Sequence, residues 1–500
     1  MNLSRIGGLA ATAAALAVLA VPGLASAQDC EGSKPKGGMW PTSAELYLTR
    51  ARQNPYPDEK RSLFNQALEV AVDGFAKQSD NPRNYELAGQ AYVGLNDLAG
   101  ADSVFRKAVE LWSCYAGRID TLRFNAWAIA FNRGIQYSQS GDEEKAIAEY
   151  KSAWTIYDEM PQPMLQIGQI YARRAAVAET PEDQTAAQEE ALAAFRMALT
   201  VIEERGARLT PEQRQEYSRA AAFNLAQMLA FEGKYLEAAA EYDRFLAMDP
   251  DNVDAVTNAA VVLTRASQEF KQQAADVEEG AEKDSLLAEG AALSERAAGY
   301  YSDLLAREDL SAGEYYNIGL GLTQLQEYGR ASTSFQRAAE KAPYNERILA
   351  QLAFVLFSEA MYDSLAVVAK KLVDNYPLNL NNMALLANAY RELDNSEGAL
   401  AILERRETLK MELVDLALEG GEGEFKLVGA LHNIALEPGS TVDVEFHFHD
   451  ATGARVSSQA VTLEAPEQGT DASFSVDTTS SETIVGFSYN LLESAAQTAN

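Results

Sequence analysis

A small residue, an aromatic four positions later and an alanine three after that recur along the chain. Ala101, Phe105 and Ala108 show this spacing first; Ala146, Tyr150 and Ala153, then Ala191, Phe195 and Ala198, then Ala331, Phe335 and Ala338 repeat it. About twelve residues upstream of most sets lies a glycine or alanine, often followed by a large residue, as in Gly89 and Tyr92, Gly134 and Tyr137, and Gly319 and Leu322. Two packed helices per unit account for the pattern, because small residues let two helices approach and large ones fill the space to the next unit. One such unit cannot bury its own apolar face, so units stack into an α-solenoid. The expected chemistry is that of a surface that holds partners.

Walking the chain, we expect an atypical capping pair over 43–79 and a first full unit from about Pro82 to Ser113. Further units run from about Ala126, Pro163, Arg219, Val253, Ala312, Asn345 and Leu380, the last ending near Leu409. The third carries an insertion near 174–190. The fifth carries one near 266–296, whose helical periodicity suggests a projecting hairpin, with a flexible loop as the other possibility. This 34-residue period resembles the tetratricopeptide repeat over roughly 82–409. The resemblance implies a mainly α protein: a right-handed α-solenoid of about eight helix-turn-helix repeats plus a cap, spanning 43–410, whose concave groove takes a protein or an extended peptide.

After Gly420 helical period gives way to alternation. Val442, Val444, Phe446 and Phe448 interleave with Asp443, Glu445, His447 and His449. Further strand-like runs cover 425–434, 455–463, 472–476 and 484–491, with turns at Pro438-Gly439, Thr452-Gly453 and Gln468-Gly469. Residues 411–500 are therefore expected to form a small all-β sandwich. It is similar to the immunoglobulin-like domains that follow helical repeats in exported bacterial proteins. The sandwich would dock the protein onto another envelope component or cap the last apolar face of the solenoid.

The first 27 residues have the form of a signal peptide: Arg5, an apolar stretch over 6–24, and Ala25-Ser26-Ala27 as the cleavage site. The mature chain would begin at Gln28, in the periplasm or outside the cell, with no need of a membrane. A Gly-, Lys- and Pro-rich flexible arm over 28–42 would follow. Cys30 and Cys114 permit one disulfide in such a compartment. The formal charge of −31 excludes a phosphate backbone as the natural partner.

In the second to seventh units one register of the first helix carries a carboxamide: Asn132, Gln166, Asn224, Asn258, Asn317 and Gln351. A carboxamide both donates and accepts, which suits the main chain of an extended peptide. The set resembles the asparagine ladder that grips peptides in the tetratricopeptide superhelix of a nucleocytoplasmic glycosyltransferase; structural hydrogen bonding to neighbouring helices is the other use. Phe131, Phe223, Tyr316, Phe354 and Phe357 lie near groove registers as anchors or as core residues. A basic clamp for a terminal carboxylate is not evident, since Arg83, Arg173, Arg347 and Arg391 are scattered.

Catalysis has little support. There is no nucleophile elbow and no phosphate-binding loop, and the repeat region has no histidine. No cofactor and no metal is implied: Glu445, His447 and His449 share one strand face, but further ligands are not identifiable and the face reads as solvated. The expected function is that of an exported, non-enzymatic scaffold. The alternative is an envelope protein that recognises a glycan or a metal through the sandwich; Phe487 and Tyr489 alternate on its last strand but read as core.

Overall fold

The computed structural model describes residues 30–206, 208–421 and 423–492. The expected signal peptide, 1–27, lies outside them. The described residues form eighteen α-helices followed by six β-strands. They divide into two compact units that meet at Pro250 and Asp251.

The first unit holds α1 (Met39–Gln53) and α2 (Pro57–Lys77), then α3 (Pro82–Leu95) and α4 (Leu98–Leu111), α5 (Ala116–Gln139) and α6 (Glu143–Ile156), α7 (Gln162–Val177) and α8 (Pro181–Glu204), and α9 (Pro211–Phe231) and α10 (Tyr235–Leu246). The hairpins α3–α4, α5–α6 and α7–α8 are each closed by one small residue set against one ring. A Cβ on Gly89 would lie 2.3 Å from the Phe105 ring, one on Gly134 2.5 Å from Tyr150, and one on Gly168 2.6 Å from Phe195. Those rings and the flanking alanines are fully buried. Local signals start the helices: Asn81, Asp97, Asp142 and Thr210 each accept a hydrogen bond from a first-turn amide. Proline leads α2, α3, α8 and α9, where its missing N–H costs nothing.

The turn inside each regular hairpin also repeats. Seven residues after the small position the backbone is left-handed: Asn96, Gly141 and Gly233 in the first unit, and Gln326, Ala360 and Asp394 in the second. The two repeats with insertions carry Ala175 and Ser267 at that place, and there the first helix simply continues. The third hairpin lengthens mainly through α8, and the fifth through both of its helices.

The segment read as a flexible arm over 28–42 is a difference. Cys30 is disulfide-bonded to Cys114, with 5.4 Å between their Cα atoms. Gly32 forms an antiparallel bridge with Trp112. Glu31 and Ser113 exchange hydrogen bonds, and Asn81 takes both main-chain groups of Lys36. Met39 already begins α1. Polar main chain placed against a helix end must find partners, and the end of α4 supplies them.

The second unit continues with α11 (Val253–Ala275) and α12 (Ala281–Leu305), α13 (Ala312–Gln324) and α14 (Tyr328–Lys341), α15 (Glu346–Ser358) and α16 (Tyr362–Asn375), and α17 (Leu380–Glu392) and α18 (Ser396–Thr408). The α11–α12 hairpin is long and helical throughout, and Ser267 on α11 donates to the carbonyl of Gly290 on α12 at 2.7 Å. The strands are β1 (Met411–Gly421), β2 (Glu424–Asn433), β3 (Thr441–His449), β4 (Arg455–Glu464), β5 (Asp471–Thr479) and β6 (Gly486–Leu491). They form two antiparallel three-stranded sheets, ordered β1-β2-β5 and β4-β3-β6. Phe446 of β3 meets Phe474 of β5 across the two sheets, and Ser457 of β4 hydrogen-bonds Thr478 of β5. Six strands are one fewer than the seven of a constant-type immunoglobulin domain.

The sandwich sits on the loops before α15 and α17. Phe487 donates its amide to the Tyr344 carbonyl at 2.9 Å. This approach requires Gly486, since a Cβ there would lie 2.1 Å from that carbonyl oxygen. The Tyr376 hydroxyl donates to the same carbonyl at 2.8 Å, and its ring packs on Phe487 and Tyr489. Capping of the last helix, one of the two roles expected for the sandwich, is not what forms. Helix α18 buries only Ala399, and Leu400 and Leu403 remain exposed.

Candidate functional site

In each repeat the carboxamide register lies two residues before the small position, which is about 200° around the helix axis. The small residue faces the second helix of the hairpin, so the amide lies on the opposite side of the first helix. In the first unit these residues are Asn132 on α5, Gln166 on α7 and Asn224 on α9; in the second they are Asn258 on α11, Asn317 on α13 and Gln351 on α15. Asn132 and Asn317 are exposed and the other four are half-buried. Asn224 donates to the Ala220 carbonyl of its own helix at 2.7 Å, so its NH₂ group is partly engaged locally. The amides therefore form two sets of three, each within its own unit.

The aromatic candidates separate by environment. Phe131 stacks on Trp127 at 5.2 Å and reaches Tyr150 at 5.4 Å. Phe223 packs on Tyr242 and Phe245, and Tyr316 packs on Phe335. These three face their own hairpin partners. Phe354 and Phe357 on α15 are 47% and 41% exposed, and Phe357 touches only the start of its partner helix, meeting Tyr362 edge-on at 6.3 Å. Burial raises the Tyr316 phenol above its ordinary value, and Arg347, one turn before Gln351 on α15, partly offsets this with its charge.

The first-unit face is occupied near its start by its own charges. Glu86 is fully buried and accepts from Arg83 at 2.5 Å and from Arg118 at 2.6 Å, with Gln90 at 2.9 Å. Arg83 also holds Glu45 at 2.7 Å. A buried carboxylate needs such partners to remain charged. Burial, with this carboxylate adding to it, pushes the neighbouring Tyr115 phenol up to about 12. This cluster was not legible in the sequence, because its members come from three helices.

A cleft of about 670 Å³ opens in the second unit where α15 and α17 begin and where β1 and β6 pass. Glu346 lies in its wall and accepts from Asn379 at 2.9 Å and Asn382 at 3.0 Å. Burial lifts its carboxyl above the usual range; the two amides oppose this and Glu412 adds to it. Glu412 itself accepts the Leu380 amide at 3.0 Å.

His447 and His449 do not lie on a solvated strand face. Both are buried, because β3 is central in its sheet and its outer side is covered. The His449 ring stacks on Tyr344 with centroids 3.6 Å apart, and its nitrogens meet the Gly453 carbonyl and the Ser488 hydroxyl. His447 meets Ser458 and Asn490. Among the described residues no group of three or more His, Cys, Asp or Glu is placed to hold a metal ion. Phe487 and Tyr489 are buried at the junction with the helices.

The tetratricopeptide repeat model matches residues 82–111, which are α3 and α4. No curated protein gives a significant match. Among solved structures, the chain is similar to the MamA protein, at 15% identity over 38% of this chain and 91% of that one, with a TM-score of 0.30. It is also similar to YrrB, described as a tetratricopeptide protein with an unusual peptide-binding site, at 20% identity over 37% and 83%, with a TM-score of 0.27. The C-terminal part of a tetratricopeptide repeat-containing protein from Cytophaga hutchinsonii matches at 14% identity over 62% and 99%, with a TM-score of 0.28. The stretch that a family model recognises is thus one tetratricopeptide repeat, and helix hairpins built on the same small-residue and aromatic spacing follow it.

Proposed function

We propose that the protein is an exported, non-enzymatic scaffold that binds a protein or an extended peptide on the inner registers of its helix hairpins. The observation that carries this reading is the exposed pair Phe354 and Phe357 beside Gln351, with Asn317 at the register matching Gln351 in the preceding repeat. Large apolar side chains left exposed beside unspent amides suit a partner that brings apolar side chains and main-chain polar groups together. Binding energy at such surfaces concentrates in a few aromatic anchors.

The test uses the full chain as bait against the envelope fraction, beside a variant carrying Asn317→Ala, Gln351→Ala and Phe354→Ala. Specific partners retained by the first and lost by the second support the reading. Equal recovery of the same partners by both sinks it. The export half is checked separately, by whether the chain recovered from the envelope begins at Gln28.

A further inference from the structure

We infer that the inner groove of the second unit ends on the free edge of β1, so that an extended peptide lying along the groove finishes as an added strand. This rests on the peptide-binding reading above and names how one end of the ligand is held.

The registers of the groove run into the cleft. Asn381 and Leu385 on α17 stand one 34-residue repeat after Arg347 and Gln351 on α15. Arg347, Ala350, Asn381 and Leu385 all line the cleft, and the facing wall is β1 from Asp415 to Leu418. The helices and this strand therefore share one concavity.

The strand presents an unpaired edge there. β1 pairs only with β2, and the two sheets approach each other on the opposite side, where β4 meets β5. The first residues of β1 are tied to α17 through Glu412 and the Leu380 amide. Beyond them the pairing with β2 shifts register between Val414 and Ala417. Asp415 has φ of 54°, and the two residues of the bulge stand opposite Gly429. A Cβ on Gly429 would lie 2.5 Å from the Leu416 side chain, so glycine is what admits the bulge. Bulges re-aim a strand, and here the re-aimed part is the wall of the cleft.

An extended peptide suits this wall. An edge strand offers alternating main-chain donors and acceptors, which a strand satisfies and a helix, with its own groups already paired, does not. Asn381 is exposed at the helical side and can meet the other edge of that strand. Arg347 lines the cleft together with Glu346 and Asp415, so its wall carries charges of both signs. Recognition then runs through the main chain and through apolar side chains against Leu416 and Leu418.

The probe is a set of dodecapeptides selected from a random displayed library on the full chain, then synthesised with and without N-methyl groups on alternate amides. N-methylation removes strand donors and leaves the side chains. The expected result is at least tenfold weaker binding on N-methylation in one of the two phases. It comes with at least tenfold slower amide exchange at 415–418 when the unmethylated peptide binds, and with weaker binding to Phe354→Ala. Peptides that respond to Phe354→Ala but not to N-methylation, and leave exchange at 415–418 unchanged, overturn the strand addition and keep the groove. Protection of β1 without any response to Phe354→Ala overturns the continuity. Recovery of no peptide overturns both readings. Protection of 415–418 in the free chain, with dimers in sedimentation, assigns the edge to a second copy and overturns the inference.

Discussion

At the scale of single residues, the hairpins depend on atoms that are missing. A Cβ on Gly319 would lie 2.6 Å from the Phe335 ring, which is fully buried and has no free volume to retreat into. Gly319→Ala is expected to lower stability by about 1–3 kcal/mol, the usual cost of overpacking. Gly299 in α12 has nothing within 4 Å of such an atom. Gly299→Ala is therefore expected to raise stability by up to about 1 kcal/mol, from helix propensity alone. Urea titrations of the two variants read both effects, and the opposite signs are the test. The small position was legible in the sequence because spacing alone reveals it. The separation of Phe131, Phe223 and Tyr316 from Phe354 was not, since neighbouring registers on one helix differ only in what tertiary packing brings against them.

At the scale of elements, the segment before α1 is fastened to the end of α4 by the disulfide, the Gly32–Trp112 bridge and Asn81. The bond joins residues 84 apart. Replacing both cysteines by serine is expected to destabilise the first unit by about 2–4 kcal/mol, chiefly through the freed unfolded chain. Denaturant titration of that variant, beside the native chain with and without reductant, checks it. Several element boundaries escaped the sequence for physical reasons. Helix α9 begins at Pro211, ahead of the expected Arg219, and the signal was present: Thr210 and Gln213 form a reciprocal cap. Helix α5 starts at Ala116, ten residues before the expected unit, directly after the disulfide-linked turn. Strand β1 was not read as a strand at all, because Leu413, Leu416 and Ala417 also fit a helical stripe and its bulge breaks the alternation. The other five strands are β-rich runs bounded by turn residues, with β3 alternating most clearly, and were legible to within two residues at most boundaries.

At the scale of the molecule, the second unit joins helices and sheets through one aromatic contact surface whose charge state matters. Burial holds the His449 and His447 imidazoles below their ordinary value, and Arg455 adds to this for both. The groups around the pair are Arg455, Asp450, Glu445 and Ser488, with Lys371 over the Tyr344 ring. The unfolded chain takes up these protons near pH 6.5, before the folded chain does. Stability is thus complete above that pH and falls as the pH drops through it. Glu346, whose folded value is raised, works in the opposite direction at lower pH. The expected outcome is a falling melting temperature of residues 251–492 from about pH 6.5 toward pH 5. In His449→Gln the fall should be smaller, and an unchanged profile would remove His449 from this account. None of this was legible in the sequence, where His449 stands far along the chain from Tyr344, the ring it stacks on.

The hydrogen bond from Asn345 to the Val485 carbonyl spans 140 positions of chain. A linear array of hairpins ordinarily opens from its terminus inward, one unit at a time, because each touches only its neighbours. Here the last two hairpins are enclosed between a loop and a strand that grip each other, so they have no loose terminus from which to peel. Melting in this half should be concerted, and its refolding should wait on the slow meeting of distant parts.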